Sequence, residues 1–300
     1  MRARIDFNEW LAARPVRIGD GAMGTMLQDA GLLPGACPEL WDIERPDAVA
    51  AVIRAYVDAG AEMVETNSFG GSPQKLGAYD LAPRCAEVNR RAAEIACQAA
   101  GPEVLVLGSM GPTGRLLRPL GDLAEADASD GFRTQADALA QGGADALCVE
   151  TMTDLQEAVL AVRAAVITGL PVMATMTFEK TRRGFYTIMG VPVARAAAGL
   201  EEAGACVVGA NCGAGPDTMV ERVAAWRAVT TLPILVQPNA GIPQLQEGRV
   251  HYPEGPESFA AYLPRLVEAG ASLVGGCCGT TPEHIRVLVQ RARELTARPE

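Results

Sequence analysis

Eight short runs of apolar, often β-branched residues recur along the chain at intervals of a few tens of residues. Each run ends in small or polar residues and is followed by an amphipathic stretch. Continuous apolar runs, unlike alternating ones, are typical of parallel strands that are covered on both faces. The eight predicted strands are VRIGDG from Val16, AEMVETN from Ala61, VLVLGSMG from Val104, ALCVET from Ala146, PVMATMTF from Pro171, CVVGANCG from Cys206, PILVQPN from Pro233 and LVGGCCG from Leu273.

The stretches between these runs have the spacing of helices. Residues 46–59 begin with a proline in the first turn, carry an apolar stripe and end before Gly60, which favours a helix stop. Residues 194–203 and 258–269 follow the same plan. Eight strand–helix units predict an α/β protein, a (β/α)8 TIM barrel that forms a single domain over residues 1–300, with residues 1–14 as a short N-terminal cap helix. A doubly wound open sheet is the alternative.

Three connections are longer than the others and rich in glycine and proline, at residues 23–45, 111–130 and 240–256. All three follow predicted strand ends. In a (β/α)8 barrel this places them on the carboxyl-terminal rim, where active sites are built.

Composition and charge exclude several classes of protein. The chain is 49% hydrophobic and 21% charged, which suits a large buried core, and its net charge is −10 without a basic cluster. An acidic surface argues against nucleic acid and anionic membranes as partners. The longest apolar stretch, 158–178, contains Arg163 and is broken by Gly169 and Pro171, so it does not predict a membrane span. Without a secretory signal at the start, we expect a cytoplasmic protein with reduced thiols.

Three of the eight cysteines lie at predicted strand ends. Cys212 ends strand six, and the adjacent pair Cys277 and Cys278 ends strand eight, between glycines. Strands six and eight flank strand seven in a barrel, so these thiols should approach one another. Three thiolates without a fourth fit a catalytic metal site that keeps one position open, and thiolate ligation favours zinc. Simple burial is the alternative, and it is the preferred interpretation for Cys37, Cys85, Cys97, Cys148 and Cys206.

The two histidines are weaker candidates for a metal site. His251 lies in a loop rich in glycine and proline, where we expect it to be solvated. His284 follows Thr281-Pro282-Glu283, a helix start, and is expected to belong to that turn.

Six motifs, in order along the chain, resemble the homocysteine S-methyltransferase family, and most closely the homocysteine-binding domain of cobalamin-dependent methionine synthases. They are GDGAMGTML from Gly19, ETNSFG from Glu65, SMGPTG from Ser109, GANCG from Gly209, QPNAG from Gln237 and GGCCGTTPEHI from Gly275. The resemblance implies a (β/α)8 barrel. It also implies that Cys212, Cys277 and Cys278 bind a catalytic Zn²⁺, with Asn239 as a candidate fourth ligand when substrate is absent.

The same resemblance suggests which residues bind homocysteine. Asp20 and Glu150 end strands one and four and would hold its ammonium group. Taken alone, these acids also fit a strand-end Asp-Gly turn and a buried ion pair with arginine. Polar groups at matching rim positions come from Gly21, Thr66, Asn67, Ser109 and Asn211. Backbone N–H groups at 109–111 are expected to receive the substrate carboxylate.

The resemblance implies that homocysteine is methylated to methionine, and it leaves the methyl donor open. Gly279 after the cysteine pair and the ETN motif favour methylcobalamin carried on a separate corrinoid protein. S-methylmethionine, S-adenosylmethionine and betaine are the alternatives. Betaine requires an aromatic cage, which Trp41 and Tyr79 do not obviously form. A zinc- or thiol-binding barrel without catalysis is the alternative of a different class.

Overall fold

Eight parallel strands surround a central axis in the computed structural model, which describes residues 4–246 and 249–296. Each strand lies beside its neighbours in the chain, and every pairing in the barrel sheet is parallel. The strands are β1 (Arg17–Ile18), β2 (Met63–Glu65), β3 (Leu105–Met110), β4 (Ala146–Met152), β5 (Val172–Met176), β6 (Val207–Asn211), β7 (Ile234–Gln237) and β8 (Leu273–Val274).

The barrel closes between β1 and β2. β1 pairs with β8 on one side, and on the other side Gly19 forms a parallel bridge with Met63. Across this seam the backbone N–H of Glu62 donates to the carbonyl of Ile18 at 2.8 Å. The prediction of a single-domain (β/α)8 barrel is therefore confirmed, and the doubly wound alternative is wrong.

A helix follows each strand and packs outside the barrel. These helices are α1 (Pro46–Asp58), α2 (Cys85–Ala100), α3 (Glu125–Gly142), α4 (Leu155–Val166), α5 (Val193–Ala203), α6 (Pro216–Arg227), α7 (Pro256–Ala260 and Leu263–Glu268) and α8 (Pro282–Thr296). The break in α7 differs from the single helix expected over 258–269. Pro264 explains it, because proline lacks an N–H and is tolerated only in the first turn of the second segment.

A short helix, Phe7–Ala12, closes the amino-terminal end of the barrel. Its first turn is capped by the Asp6 carboxylate, which accepts from the N–H groups of Asn8 and Glu9 at 3.0 Å. Phe7 and Trp10 pack against side chains inside the barrel, which include Met63, Leu105, Leu107, Met173, Leu235 and Leu273. The amino-terminal half of the barrel interior is therefore a packed apolar core.

The long connections after β1, β3 and β7 lie beyond the carboxyl ends of their strands. The first contains the helices Met23–Asp29 and Trp41–Glu44 and the 3₁₀ turn Pro38–Leu40. Two antiparallel hairpins also extend from this end: Glu179–Thr181 with Gly184–Tyr186 after β5, and Gln244–Gln246 with Arg249–His251 after β7. Further short turns are Pro73–Leu76, Gly77–Tyr79 and Ala82–Arg84.

Within the described ranges, no helix is both long enough and apolar enough to cross a lipid bilayer.

Candidate metal and substrate site

The inward-facing positions of the barrel change from apolar to polar towards its carboxyl end. Since side chains alternate along a strand, residues two apart share a face. Moving two residues along β2, β3, β4, β5 and β7 from the apolar interior reaches the polar side chains of Glu65, Ser109, Glu150, Thr175 and Gln237, and moving four residues along β6, past Gly209, reaches Asn211. All of these are buried except Glu65, which is half-buried. The strand period therefore places a buried polar layer on top of the core.

Three thiols meet at one side of this layer. The sulfur atoms of Cys212, Cys277 and Cys278 all lie within 4.8 Å of one another, and those of the adjacent pair are 3.9 Å apart. Cys212 directly follows β6, and the pair follows β8. Both strands border β7, so strand order brings the thiols together as the sequence predicted.

Backbone hydrogen bonds hold both cysteine segments against β7 and the loop after it. The N–H of Cys212 donates to the Gln237 carbonyl at 3.0 Å, and that of Cys277 donates to the Pro238 carbonyl at 2.7 Å. Cys212 has a φ of +60°, which is an unfavourable conformation for a residue with a side chain. The surrounding structure thus enforces a strained turn that aims the Cys212 thiol at the pair.

The glycines beside the cysteine pair serve two different purposes. Only Gly279 has a positive φ, +80°, and a Cβ there would lie 2.1 Å from the ring of Tyr252. Gly275 and Gly276 instead provide space: added Cβ atoms would lie 3.0 Å from the Asp20 carbonyl and 2.4 Å from the Thr280 hydroxyl. A left-handed backbone conformation therefore explains Gly279, whereas close packing explains Gly275 and Gly276.

The thiols interact strongly with one another. Hydrogen bonds from Cys277 and Cys278 lower the pKa of Cys212 far below that of a free thiol. The same hydrogen bonds raise the pKa of Cys277 well above its usual value. The side chain of Asn239 also lowers the pKa of Cys212. The cluster thus favours a thiolate at Cys212, the form that binds metals.

A cavity of about 250 Å³ opens beside the thiols, with all three cysteines in its wall. Glu39, Glu65 and Glu150 also line it, and among the described residues no lysine or arginine does. Phe69 and Met23 contribute apolar surface. An acidic cavity without a basic side chain suits a small ligand that carries a positive charge.

Three carboxyl groups lie together at this end of the barrel, with Glu65 and Glu150 in the cavity wall and Asp20 behind Glu65. Asp20 accepts the backbone N–H of Glu65 at 2.8 Å, and Glu65 accepts Gln237 Nε2 at 2.8 Å. Burial raises the pKa of Asp20 and of Glu65. Burial, followed by the neighbouring Glu65 charge, raises the pKa of Glu150 well above its usual value. Each carboxylate here would be stabilised by an incoming cation.

The structure separates the predicted substrate residues into two groups. Gly21, Thr66, Asn67, Ser109 and Glu150 line the cavity. Asp20 and Asn211 are not part of its lining and contact residues that are.

Asn211 holds the end of β4 in place. It is fully buried, accepts the N–H of Thr151 at 2.9 Å and donates to Glu150 at 3.4 Å. On its other side Glu150 accepts a short hydrogen bond from the Ser109 hydroxyl. Thr151 has a φ of +61° where the register of β4 and β5 shifts. This β-bulge and its polar contacts fix the orientation of the Glu150 carboxylate.

Residues 109–111 were expected to bind the substrate carboxylate through their backbone N–H groups. The first and the last of these N–H groups already donate hydrogen bonds within the protein. The N–H of Ser109 donates to the Thr66 hydroxyl at 3.0 Å, and that of Gly111 donates to the Phe69 carbonyl at 2.9 Å. These two groups are therefore not available to a substrate carboxylate in this conformation.

Sequence reasoning missed Glu65 and Gln237. Both line the cavity and bond to each other. A signal was present, since Val64-Glu65-Thr66 repeats the Val149-Glu150-Thr151 pattern at the end of a predicted strand. Both repeats place an acid at an inward position of a buried strand, which indicates a cavity residue in each case.

The remaining candidates are distributed as follows. Asn239 is 4% exposed, and its Oδ1 has no hydrogen-bond partner within the described chain. His284 bonds to Thr281 and to the Glu254 carbonyl, so it belongs to the start of α8. Trp41 is buried, with the Arg45 guanidinium 4.2 Å above its ring, and this covers a face that an aromatic cage would use. His251 is exposed. The five other cysteines lie outside the cluster.

Comparison with known families gives one match over nearly the whole chain. The sequence model described as homocysteine S-methyltransferase matches residues 17–292. Methionine synthase from Mycobacterium leprae (strain TN) is 40% identical over 301 residues, and that from Mycobacterium tuberculosis (strain ATCC 25618 / H37Rv) is 38% identical over 305 residues. These alignments cover 94% and 95% of this chain but 24% and 25% of the relatives. The chain thus spans about a quarter of their length.

Comparison with solved structures gives the same architecture. The metallated form of the homocysteine methyltransferase MmuM from Escherichia coli superposes with a TM-score of 0.78 at 26% identity, covering 94% of this chain and 98% of that one. The carboxyl transferase domain of Rhizobium etli pyruvate carboxylase reaches a TM-score of 0.55 at 18% identity. This second likeness concerns the fold alone.

Proposed function

The chain belongs to the homocysteine S-methyltransferase family, and from this premise we propose that it methylates the sulfur of homocysteine at a zinc ion held by Cys212, Cys277 and Cys278, forming methionine. The observation that supports this most directly is the meeting of three thiols within 4.8 Å in the wall of an acidic cavity. Thiols provide the metal site, and the acids provide a place for the amino group of the substrate.

The donor atoms fit zinc. Sulfur ligands select zinc over magnesium or calcium, and a catalytic zinc site keeps one position for water or substrate. Asn239 is the proposed fourth ligand in the absence of substrate. Its buried Oδ1 lacks a partner among the described residues, and its side chain lowers the pKa of Cys212. When bound, zinc would keep the homocysteine sulfur deprotonated at neutral pH, where a free thiol is mostly protonated.

The acids at the cavity floor bind the substrate ammonium in this proposal. Glu65 and Glu150 present carboxylates to the cavity, where burial raises the pKa of both and the Glu65 charge adds to the rise at Glu150, and a cation between them offsets these effects. Asp20 holds the backbone of Glu65, while Ser109 and Asn211 orient Glu150. These contacts fix the amino acid so that its side-chain sulfur points to the cysteines.

Other parts of the cavity wall complete the substrate site. Thr66 and Asn67 lie next to Glu65, and Asn67 is held by hydrogen bonds to the Pro38 carbonyl and to Asp42. The backbone of Gly21 forms the wall on the β1 side, where an added Cβ would lie 2.5 Å from the Thr280 hydroxyl. We assign the substrate carboxylate to this side, since the amides of Ser109 and Gly111 are already used.

For the methyl donor we propose methylcobalamin on a separate corrinoid protein. The methionine synthase relatives are about four times longer than this chain, which supports a donor carried by protein outside the barrel. Most of the exposed large apolar side chains in the described chain lie on loops after the barrel strands, as expected for a surface that docks a partner. They are Leu33, Phe69, Leu116, Leu120, Ile188, Met189, Ile242, Leu245 and Val250.

We also propose a cytoplasmic location. No disulfide links the cysteines of the described residues, and three of these cysteines form the cluster. A site built from thiols requires a compartment that keeps them reduced.

A panel of methyl donors tests the proposal. The zinc-loaded protein is incubated with homocysteine and, in turn, with methylcobalamin, S-methylmethionine, S-adenosylmethionine, betaine or methyltetrahydrofolate, and methionine is measured by mass spectrometry. We expect methionine with methylcobalamin. Turnover only with one of the small donors would replace the corrinoid proposal. A protein that holds zinc but forms no methionine with any donor would be the non-catalytic barrel.

Two cysteine variants separate metal loss from general damage. Cys277→Ala should lose zinc and methyl transfer together, because two sulfur ligands remain. Cys206→Ala is the matched control, since Cys206 is a half-buried thiol beside the opposite end of β6 and bonds to the Val172 carbonyl. A Cys277→Ala protein with full turnover and no metal would refute the zinc mechanism.

A further inference from the structure

A buried arginine lies directly behind the thiol cluster. Arg222 belongs to α6, is 2% exposed, and its Nη1 donates to the carbonyl oxygen of Cys212 at 3.0 Å. Cys212 is the residue whose strained φ aims its thiol at those of Cys277 and Cys278. Arg222 therefore contacts the backbone of a candidate ligand without entering the cavity.

The surroundings of Arg222 are unusual for a buried cation. Within residues 4–246 and 249–296 it has no carboxylate within 4.0 Å, and its Nε has no hydrogen-bond partner. Its guanidinium lies 5.8 Å from the centre of the Phe185 ring. By contrast, the buried Arg17 forms an ion pair with Glu62 at 2.6 Å. Burying an unpaired charge is costly, so such a residue requires a compensating anion.

The acidic group whose backbone Arg222 contacts directly is Cys212. Burial lowers the pKa of Arg222, and the nearby Cys212, Glu179 and Asp217 act in the opposite direction, Cys212 most strongly. Three thiolates around a divalent ion carry a net charge of −1, and a fourth thiolate from the substrate makes it −2. The guanidinium thus faces a centre whose negative charge increases when substrate binds.

We propose that Arg222 is a positioning residue that fixes the Cys212 turn and whose buried positive charge offsets the negative charge of the thiolate centre. The inference rests on the proposed zinc site. It assigns Arg222 two separable contributions, a hydrogen bond to the Cys212 carbonyl and a fixed charge. A neutral donor can replace the first but not the second.

Three substitutions separate these contributions. Arg222→Lys keeps the charge, Arg222→Gln keeps a hydrogen-bond donor without the charge, and Arg222→Met keeps only apolar volume. Arg227→Gln is the matched control, because Arg227 lies on the same helix and also donates to backbone carbonyls, those of Thr230 and Leu232, away from the cysteines.

The principal measurement is zinc affinity in competition with a chromogenic chelator. Groups that support metal ligands contribute about 10- to 100-fold to metal affinity. We expect a loss of about this size for Arg222→Gln and Arg222→Met, and an affinity close to wild type for Arg222→Lys and Arg227→Gln. The cobalt-substituted proteins provide a second readout, since the sulfur-to-cobalt charge-transfer band should shift in the two neutral Arg222 variants only. Homocysteine binding should weaken in the same two variants.

Two results would overturn the proposal. If Arg222→Gln binds zinc as tightly as wild type with an unchanged cobalt spectrum, the charge has no role. If Arg222→Lys loses as much affinity as Arg222→Gln, the residue acts only through its shape. Should Arg222→Gln not fold, Arg222→Met against Arg222→Lys still tests whether a cationic donor at this position supports zinc binding, and equal affinities would overturn the proposal. Zinc affinity is measured without methyl donor, so a wild-type protein that binds zinc but transfers no methyl group contradicts the proposed function and leaves this test intact.

Discussion

Replacing Glu150 with glutamine tests how the cavity recognises an amino acid. The substitution preserves the size of the side chain and removes the charge: the glutamine amide oxygen can still accept from Asn211, and its amide nitrogen can donate to the Ser109 hydroxyl, which reverses that hydrogen bond. If Glu150 binds the ammonium of homocysteine, a charged hydrogen bond becomes a neutral one. Affinity for homocysteine should fall while zinc binding stays the same, because Glu150 is not part of the thiol cluster.

The size of the effect follows from the number of acids at the site. A hydrogen bond to a charged group contributes about 1.5–3 kcal/mol, and each 1.4 kcal/mol is a factor of ten. Glu65 still lines the cavity in the variant, with Asp20 behind it, so the ammonium keeps a negative partner. We therefore expect homocysteine to bind about 10- to 150-fold more weakly, and not the larger loss that follows when a buried charge is left without any partner.

The assay compares two ligands by titration calorimetry on the zinc-loaded proteins. Homocysteine carries the ammonium, whereas 4-mercaptobutyrate has the same thiol and carboxylate without it. Glu150→Gln should weaken homocysteine binding only. For 4-mercaptobutyrate the variant should bind as well as wild type or better, because an unpaired buried carboxylate has been removed. Equal losses of affinity for both ligands would show that Glu150 supports the structure of the site and does not bind the ammonium group.

Three further predictions concern the stability of the fold. Gly279→Ala should destabilise the fold by about 1–3 kcal/mol and weaken zinc binding, because φ is +80° and the new Cβ meets Tyr252 at 2.1 Å; chemical denaturation and zinc competition measure this, and unchanged values would contradict it. Trp10→Ala should cost about 3–5 kcal/mol of unfolding free energy but leave zinc affinity unchanged, because Trp10 packs at the opposite end of the barrel; a parallel loss of zinc would show that the two ends are coupled. Burial raises the pKa of Asp42 well above its usual value, so the folded chain binds this proton more tightly than the unfolded chain. The contribution of Asp42 to the stability of wild type is therefore lost as pH rises above about 4. Asp42→Asn should therefore be more stable than wild type at neutral pH, with the difference shrinking towards about pH 4 in urea unfolding; a difference that grows on acidification would reverse the sign.

The strands were predictable because each is a continuous apolar run that ends in small or polar residues. The two hairpins were not. Residues 179–186 read EKTRRGFY, which is mostly polar, and the residues of its first strand are exposed. This hairpin is held by pairing of its own backbone, such as Lys180 with Phe185, and by packing of Phe185 against the core, which is too little apolar surface to produce a hydrophobic pattern. The break in α7 also escaped the pattern, which shows an apolar stripe on both sides of Pro264.

The thiol cluster was predictable from strand order alone, since Cys212 and the pair end strands that border the same neighbour. Which polar residues line the cavity and which support them from behind was not predictable. Asp20 and Glu150 look alike at strand ends, yet only Glu150 lines the cavity, while Asp20 turns to the N–H of Glu65. Arg222 gave no sequence signal, because its role depends on which helix face packs behind Cys212.

Closure of the barrel at the β1–β2 seam brings Gly21 and Cys278 to one cavity, although most of the chain separates them. During synthesis on the ribosome, Cys212 emerges well before the two sulfurs that complete its cluster. The nascent chain therefore cannot hold an ion with three sulfurs until β8 has docked between β7 and β1. Binding of the proposed zinc ion is consequently expected late in maturation, in molecules in which β8 has already docked.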